Sequence, residues 1–234
     1  AARPTPKLPR PDVLVLDDFV TEETSGAKAK EGFAMMQNMD HILAYIHRLE
    51  ATMLEKKREG KSPGEIVADA HMIFTGPPGT GKTTAARKFG QLFYHLELLP
   101  TDRVVETTAK TMMGQYVGQT AQLVTAKMEE ARGGILFIDE AYSLVPSAGS
   151  FASDAVQTLL DNITKPEFKG NLVIILAGYE KDLDMLFTVN AGLSSRFDKY
   201  RISFPSWTAA QARDATVAAV HRDNKTLTAE ATEA

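Results

Sequence analysis

No cysteine occurs among the 234 residues, which excludes a disulfide framework and zinc–thiolate sites. Long hydrophobic runs are missing as well. The longest hold about six residues, as in "LVIILA" at 172–177, so no segment is predicted to span a bilayer. The chain opens "AARPTPKLPRPD", with no apolar signal core. Charge of one sign does not dominate either: 26 Lys and Arg stand against 30 Asp and Glu, a formal net charge of -4. That balance gives no whole-molecule field to attract nucleic acid or an anionic membrane. The basic run "EKKREGK" (55–61) fits the solvated end of a helix. With 44% hydrophobic and 24% charged residues, the expectation is a soluble intracellular protein, cytoplasmic or nuclear, with no membrane partner.

What the chain does have is organised in blocks. Four of its eleven prolines fall within residues 1–11, and residues 1–27 are expected to form an extended proline-rich arm or linker. Within it "VLVLDDFV" (13–20) resembles a short strand. From Lys28 to Arg58 the pattern turns helical, with Met35, Met36, Met39, Ile42, Leu43, Ile46, Leu49 and Met53 on one apolar face. His41 and His47 fall on different faces of that helix and do not make a metal pair. "EGKSPGE" (59–65) breaks it. Strands are predicted at 71–75, 103–107, 134–139, 172–178 and 200–204, and helices at 82–97, 119–131, 152–164 and 206–221. Such alternation predicts an α/β fold, a mostly parallel sheet with helices on both faces. Residues 28–205 are read as this core with its N-terminal helix, and 206–234 as the start of a further helical piece.

The first strand runs into "IFTGPPGTGKTT", which matches the phosphate-loop pattern with Gly76, Gly81, Lys82 and Thr83. Glycines let backbone N–H groups turn toward phosphate oxygens, and the helix that follows aims its positive end at them. Gly76, Pro77, Pro78, Gly79, Thr80, Gly81, Lys82, Thr83 and Thr84 are therefore the candidate nucleotide contacts. Lys82 reaches the β and γ phosphates, and the Thr83 hydroxyl ligates Mg2+. A partner acid is expected at the end of another buried strand. "ILFIDEAY" supplies Asp139 to hold Mg2+ and Glu140 to orient and polarise the attacking water. Guanine readers of this architecture need N-K-x-D. "NKTL" (224–227) lacks the acid, so ATP is the expected nucleotide.

These residues, together with "MMGQYVGQT", "LVIILAGYEKDL" and "GLSSRFDKYRISFP", resemble the AAA+ ATPases, and within them the CbxX/CfqX group. The similarity covers about residues 30–221. It implies a P-loop NTPase fold, a five-stranded parallel sheet with the phosphate-loop strand central, followed by a helical lid that this chain enters but does not complete. It also implies a ring-shaped hexamer with ATP at subunit interfaces. Arg196 in "SSRFDK" is then the arginine finger, against the plainer reading of a surface salt bridge. A second arginine common three residues later is Lys199 here, and the asparagine sensor common after the fourth strand is Tyr179. Lysine lacks the planar fork of arginine, so that second role is not carried over.

The stretch "GQYVGQT" (114–120) falls where the resemblance places a pore loop: Tyr116, Val117 and Gly118 would grip an extended client, the alternative being Tyr116 packed as core. The expected function is a Mg2+-dependent, ATP-hydrolysing module that remodels or unfolds a protein client. The alternatives are a nucleic-acid motor or loader on the same core, or a nearly inactive ATP-binding scaffold.

Overall fold

Five short strands lie side by side in parallel: β1 (Met72–Thr75), β2 (Val104–Thr108), β3 (Ile135–Asp139), β4 (Val173–Gly178) and β5 (Arg201–Ser203). Their order across the sheet is β2-β3-β4-β1-β5, so the strand feeding the phosphate loop is interior. The computed structural model describes residues 40–147, 150–210 and 213, and Asp40–Thr208 form one unit. Its helices are α1 (Asp40–Arg58), α2 (Pro63–Ala68), α3 (Lys82–His95), α4 (Gln119–Ala131), α5 (Ala152–Ile163), α6 (Glu180–Val189) and α7 (Ala191–Phe197).

Every residue of β1 and β4 is buried, which is why these strands read as unbroken apolar runs. Strand alternation then sorts side chains between two cores. Ile73, Leu136, Ile138, Ile174 and Leu176 pack in one cluster with Val124, Met128, Leu159, Leu183 and Phe197 from α4 to α7. Phe74 instead meets Phe89 of α3, Phe137 and Phe204, with ring centroids 5.6, 6.4 and 5.0 Å apart. Ile46, Leu49 and Met53 of the α1 stripe are buried. Met35, Met36, Met39, the arm at 1–27 and its "VLVLDDFV" stretch lie outside the described residues, as do the side chains of His41 and His47. Of the expected helix at 206–221, residues 209, 210 and 213 are helical and 206–208 are not, and the remaining ten positions lie outside the described residues.

Two local departures have clear causes. The "EGKSPGE" break is also a helix start. The Ser62 hydroxyl accepts from the Glu65 N–H and the Glu65 carboxylate accepts from the Ser62 N–H, with Pro63 at the first helical position. Between β4 and β5, where no helix is predicted, α6 and α7 bury Leu183, Leu186, Phe187, Leu193 and Phe197 against the sheet. Asn190 separates them, so neither presents a long periodic signal.

Candidate nucleotide site

Because the strands are parallel, the ends of β1, β3 and β4 meet at one edge of the sheet. The loop after β1 has positive φ at Gly76 (146°), Gly79 (76°) and Gly81 (91°). Gly76 is fixed by close approach as well, since a Cβ there would lie 2.1 Å from the Phe204 carbonyl oxygen. Its N–H donates to the Gly178 carbonyl at 3.0 Å, tying the loop to the end of β4. The Thr80 hydroxyl donates to the Pro77 carbonyl at 2.8 Å, while Pro78 and Gly79 form an exposed crest.

Lys82 is only 7% exposed. Its Nζ donates to the carbonyls of Gly76 (2.9 Å) and Pro77 (2.6 Å). Among the described residues no carboxylate lies within ion-pair distance of it. Burial lowers the Lys82 pKa, opposed by the charge of Asp139. A buried cation resting on neutral carbonyls, beside helix N–H groups that have no intrahelical partner, fits an incoming phosphate. Thr83 stands half-buried at the second position of α3, and Thr84 is exposed. Thr83 and Asp139 offer hard oxygen ligands, few enough to leave room for phosphate and water around Mg2+.

Asp139 ends β3, and its Oδ1 accepts from the Glu140 N–H at 2.8 Å. Glu140 adopts a left-handed backbone (φ 51°, ψ 35°), a cost of about 1 kcal/mol for a residue with a Cβ. It opens the short 3₁₀ turn Ala141–Leu144, where the Ser143 N–H donates to the Glu140 carbonyl at 2.9 Å. Lys110, in the 3₁₀ turn Lys110–Met112 after β2, places Nζ 3.1 Å from Glu140 Oε2. That hydrogen bond, with the carboxylate's charge, raises the Lys110 pKa. Sequence reasoning missed Lys110. Its signal is topological: Thr108 pairs with Asp139 across the ladder, so the residues just beyond both strand ends must meet.

Tyr142, in the turn that Glu140 opens, pairs with Tyr179 at the end of β4, their ring centroids 6.3 Å apart. Tyr179 shares the lining of a cleft of about 540 Å3 with Gly76 and Pro77.

Arg196 is not brought to this edge. It precedes Phe197, whose ring stacks on His71 at 5.3 Å, and His71 lies just before β1 at the opposite end of the strand. Arg196 Nη1 folds back along α7 onto the Gly192 carbonyl at 2.9 Å. His71 is 3% exposed and its Nδ1 accepts from the Ile174 N–H at 3.0 Å. Burial pushes its pKa down to about 4, with the Arg196 charge adding and Asp69 opposing. Lys199 pairs with Asp69 at 3.4 Å.

The "GQYVGQT" turn exposes Tyr116 (68%) and Val117 (89%), so Tyr116 is not core. The turn is nevertheless well stitched. Gln119 Oε1 accepts from the N–H groups of Gln115 and Tyr116, and the Gly114 N–H donates to the Thr120 hydroxyl. Gly114 serves a close approach here, since a Cβ would fall 2.5 Å from that of Gln119. Gly118, with φ +85°, caps α4.

Comparison with known proteins adds a family. A model described as "ATPase family associated with various cellular activities (AAA)" matches residues 72–204. The ESX-1 secretion system protein EccA1 of Mycobacterium tuberculosis (strain ATCC 25618 / H37Rv) is 38% identical over 224 residues, 94% of this chain and 39% of the relative. Stage V sporulation protein K of Bacillus subtilis (strain 168) is 35% identical over 178 residues, 76% of this chain and 52% of the relative. The ESX-3 secretion system protein EccA3 of Mycolicibacterium smegmatis (strain ATCC 700084 / mc(2)155) is 35% identical over 187 residues, 79% of this chain and 30% of the relative. The chain thus spans between 30% and 52% of the length of these relatives.

Proposed function

The chain belongs to the ATPase family associated with various cellular activities (AAA), with relatives in the CbxX/CfqX group, and from that premise we propose that it hydrolyses ATP with Mg2+ to remodel a protein client, working as a ring-shaped hexamer. The observation that carries this reading is Lys82, a buried cation held by two loop carbonyls beside the acid pair.

On this reading Lys82 exchanges the carbonyls of Gly76 and Pro77 for oxygens of the β and γ phosphates, which accept stronger, charge-assisted bonds. The N–H groups of the loop and the first turn of α3 hold the remaining phosphate oxygens. Thr83 and Asp139 hold Mg2+, which when bound neutralises charge developing on those oxygens. Glu140 orients and polarises the attacking water. Its present partner Lys110 occupies one carboxylate oxygen and leaves the other for that task. Arg196 serves the ATP of a neighbouring subunit, since it sits at the end of β1 remote from its own phosphate loop. Tyr116 and Val117 offer an exposed, sequence-tolerant grip for an extended chain. The relatives EccA1 and EccA3 are secretion system proteins by name, which favours a protein client over nucleic acid.

Two variants, assayed separately for nucleotide affinity and turnover, test the chemistry. Lys82→Ala removes the phosphate donor and should abolish ATP binding. Glu140→Gln should bind ATP and hold it unhydrolysed. Turnover by Glu140→Gln at the parent rate would reject Glu140 as the water-activating acid.

A further inference from the structure

A surface helix turns charge to water, and α6 begins so: Glu180, Lys181 and Asp184 are exposed. Then charge stops. The eleven residues at 185–195 hold no charged side chain, in a chain where 24% of residues are charged. Their inward positions, Leu186, Phe187 and Leu193, are buried. Their outward positions are Met185, Thr188, Val189, Ala191 and Ser195, all exposed. Met185 and Val189, each 55% exposed, lie four apart on α6 and so share one face. Apolar side chains left in water add little to folding, whereas an exposed face with methionine and without charge has the composition of an interface core. Its mount is firm. A Cβ on Gly192 would lie 2.9 Å from Leu160 Cδ1, so α7 sits tight on α5.

Arg196 ends this uncharged stretch, and the carboxylates of the region are taken. Arg201 pairs with Asp184 and, at 3.2 Å, with Asp198, while Lys199 pairs with Asp69 at 3.4 Å. Among the described residues Arg196 forms no ion pair. Its Nη1 donates to the Gly192 carbonyl at 2.9 Å and to the Ser195 hydroxyl at 3.4 Å. Neutral acceptors leave a guanidinium ready for a stronger, charge-assisted partner. Its complement is an anion from a second molecule, and the phosphates held by another copy supply one.

We infer that the uncharged face of α6 and α7, centred on Met185 and Val189, docks a second copy of this chain at the edge that carries its phosphate loop. The apolar contact holds the two copies together and seats Arg196 beside the neighbour's phosphates. This rests on the reading of Arg196 as serving a neighbour's ATP. A head-to-tail ring of identical chains needs two unlike patches, each copy offering one and receiving the other. The face of α6 and α7 is the first, and the edge around Lys82 is the second.

The experiment follows mass in solution, ATP affinity, turnover and melting temperature of the full chain over a range of protein concentrations. Met185→Lys with Val189→Lys charges the face, and lysine near a helix C-terminus suits the helix dipole. ATP affinity and the melting temperature of dilute protein should hold. The concentration for half-assembly should rise about 10-fold or more, as when an interface core residue is lost. Turnover should fall in dilute protein and recover in concentrated protein. Arg196→Ala should assemble like the parent and stay slow at every concentration, which separates contact from finger. Met185→Gln with Val189→Thr adds no charge and should weaken assembly by a smaller factor. Tyr94→Lys charges a similarly exposed side chain (49%) on α3 and should assemble like the parent. Parent-like assembly by the double lysine variant, with Arg196→Ala slow, would overturn this inference alone. So would a parent chain that stays monomeric with ATP at every concentration. A double lysine variant that melts well below the parent when dilute would make the face structural and also overturn it. If Arg196→Ala turned over like the parent, the trans reading would fail and take the seating of Arg196 with it.

Discussion

Lys82 and Arg196 stand at opposite ends of β1: one opens the helix after the loop that follows Thr75, the other adjoins Phe197, which stacks on His71 ahead of Met72. Within one copy, then, Arg196 turns to the Gly192 carbonyl and lies at the other end of β1 from the loop that carries Lys82.

From this comes a prediction of complementation. Arg196→Ala should bind ATP normally and hydrolyse it slowly, since supplied arginine fingers are worth on the order of 10³–10⁵ in rate. Lys82→Ala should not bind ATP at all. Mixed rings of the two variants, with subunit exchange verified by mass, should regain turnover at interfaces where Lys82→Ala contributes Arg196 to an ATP held by its neighbour. Verified mixed rings with no regained turnover would reject the trans role.

The exposure of Tyr116 separates grip from packing. Tyr116→Ala removes a side chain that is 68% exposed, while the backbone bonds to Gln119 remain. Stability should change by no more than about 0.5 kcal/mol, as for ordinary surface substitutions. ATP binding and basal hydrolysis should persist, and stimulation by an unfolded protein should be lost. A loss near 3 kcal/mol, typical of a buried aromatic, would contradict the exposed turn. Stimulation by single-stranded nucleic acid instead of protein would turn the function toward a nucleic-acid motor.

His71 makes stability depend on pH. Its pKa falls from 6.5 to about 4 on folding, so the unfolded chain binds the proton more readily than the folded one. Its contribution is fully present above pH 6.5 and is lost as pH falls toward 4, by about 3 kcal/mol in all. His71→Leu cannot titrate, though it leaves the Ile174 N–H without an acceptor and should start about 1–3 kcal/mol less stable. Urea unfolding at pH 7 and pH 4 should therefore show the parent losing about 3 kcal/mol more than the variant, other groups cancelling in the comparison. Equal losses would mean that His71 is not held neutral.

The sequence by itself determined the phosphate loop, the acid pair and the five strands, because each is a local signal. Glycine spacing before Lys82 and an apolar run ending in Asp139 and Glu140 are legible within a dozen residues. The parallel sheet followed from strands and helices alternating along the chain. The helices α6 and α7 did not announce themselves, since each is short and is stabilised chiefly by burying Leu183, Leu186 and Phe197 on the sheet. Tertiary structure alone decided the rest. Lys110 reaches Glu140 because β2 and β3 pair in register, thirty positions apart in the chain. Tyr142 meets Tyr179 because β4 lies beside β3. Arg196 lies apart from Lys82 because α7 returns the chain to the start of β5, which pairs with the start of β1. Such juxtapositions depend on strand order and register, and local sequence carries no information about either until the sheet has formed.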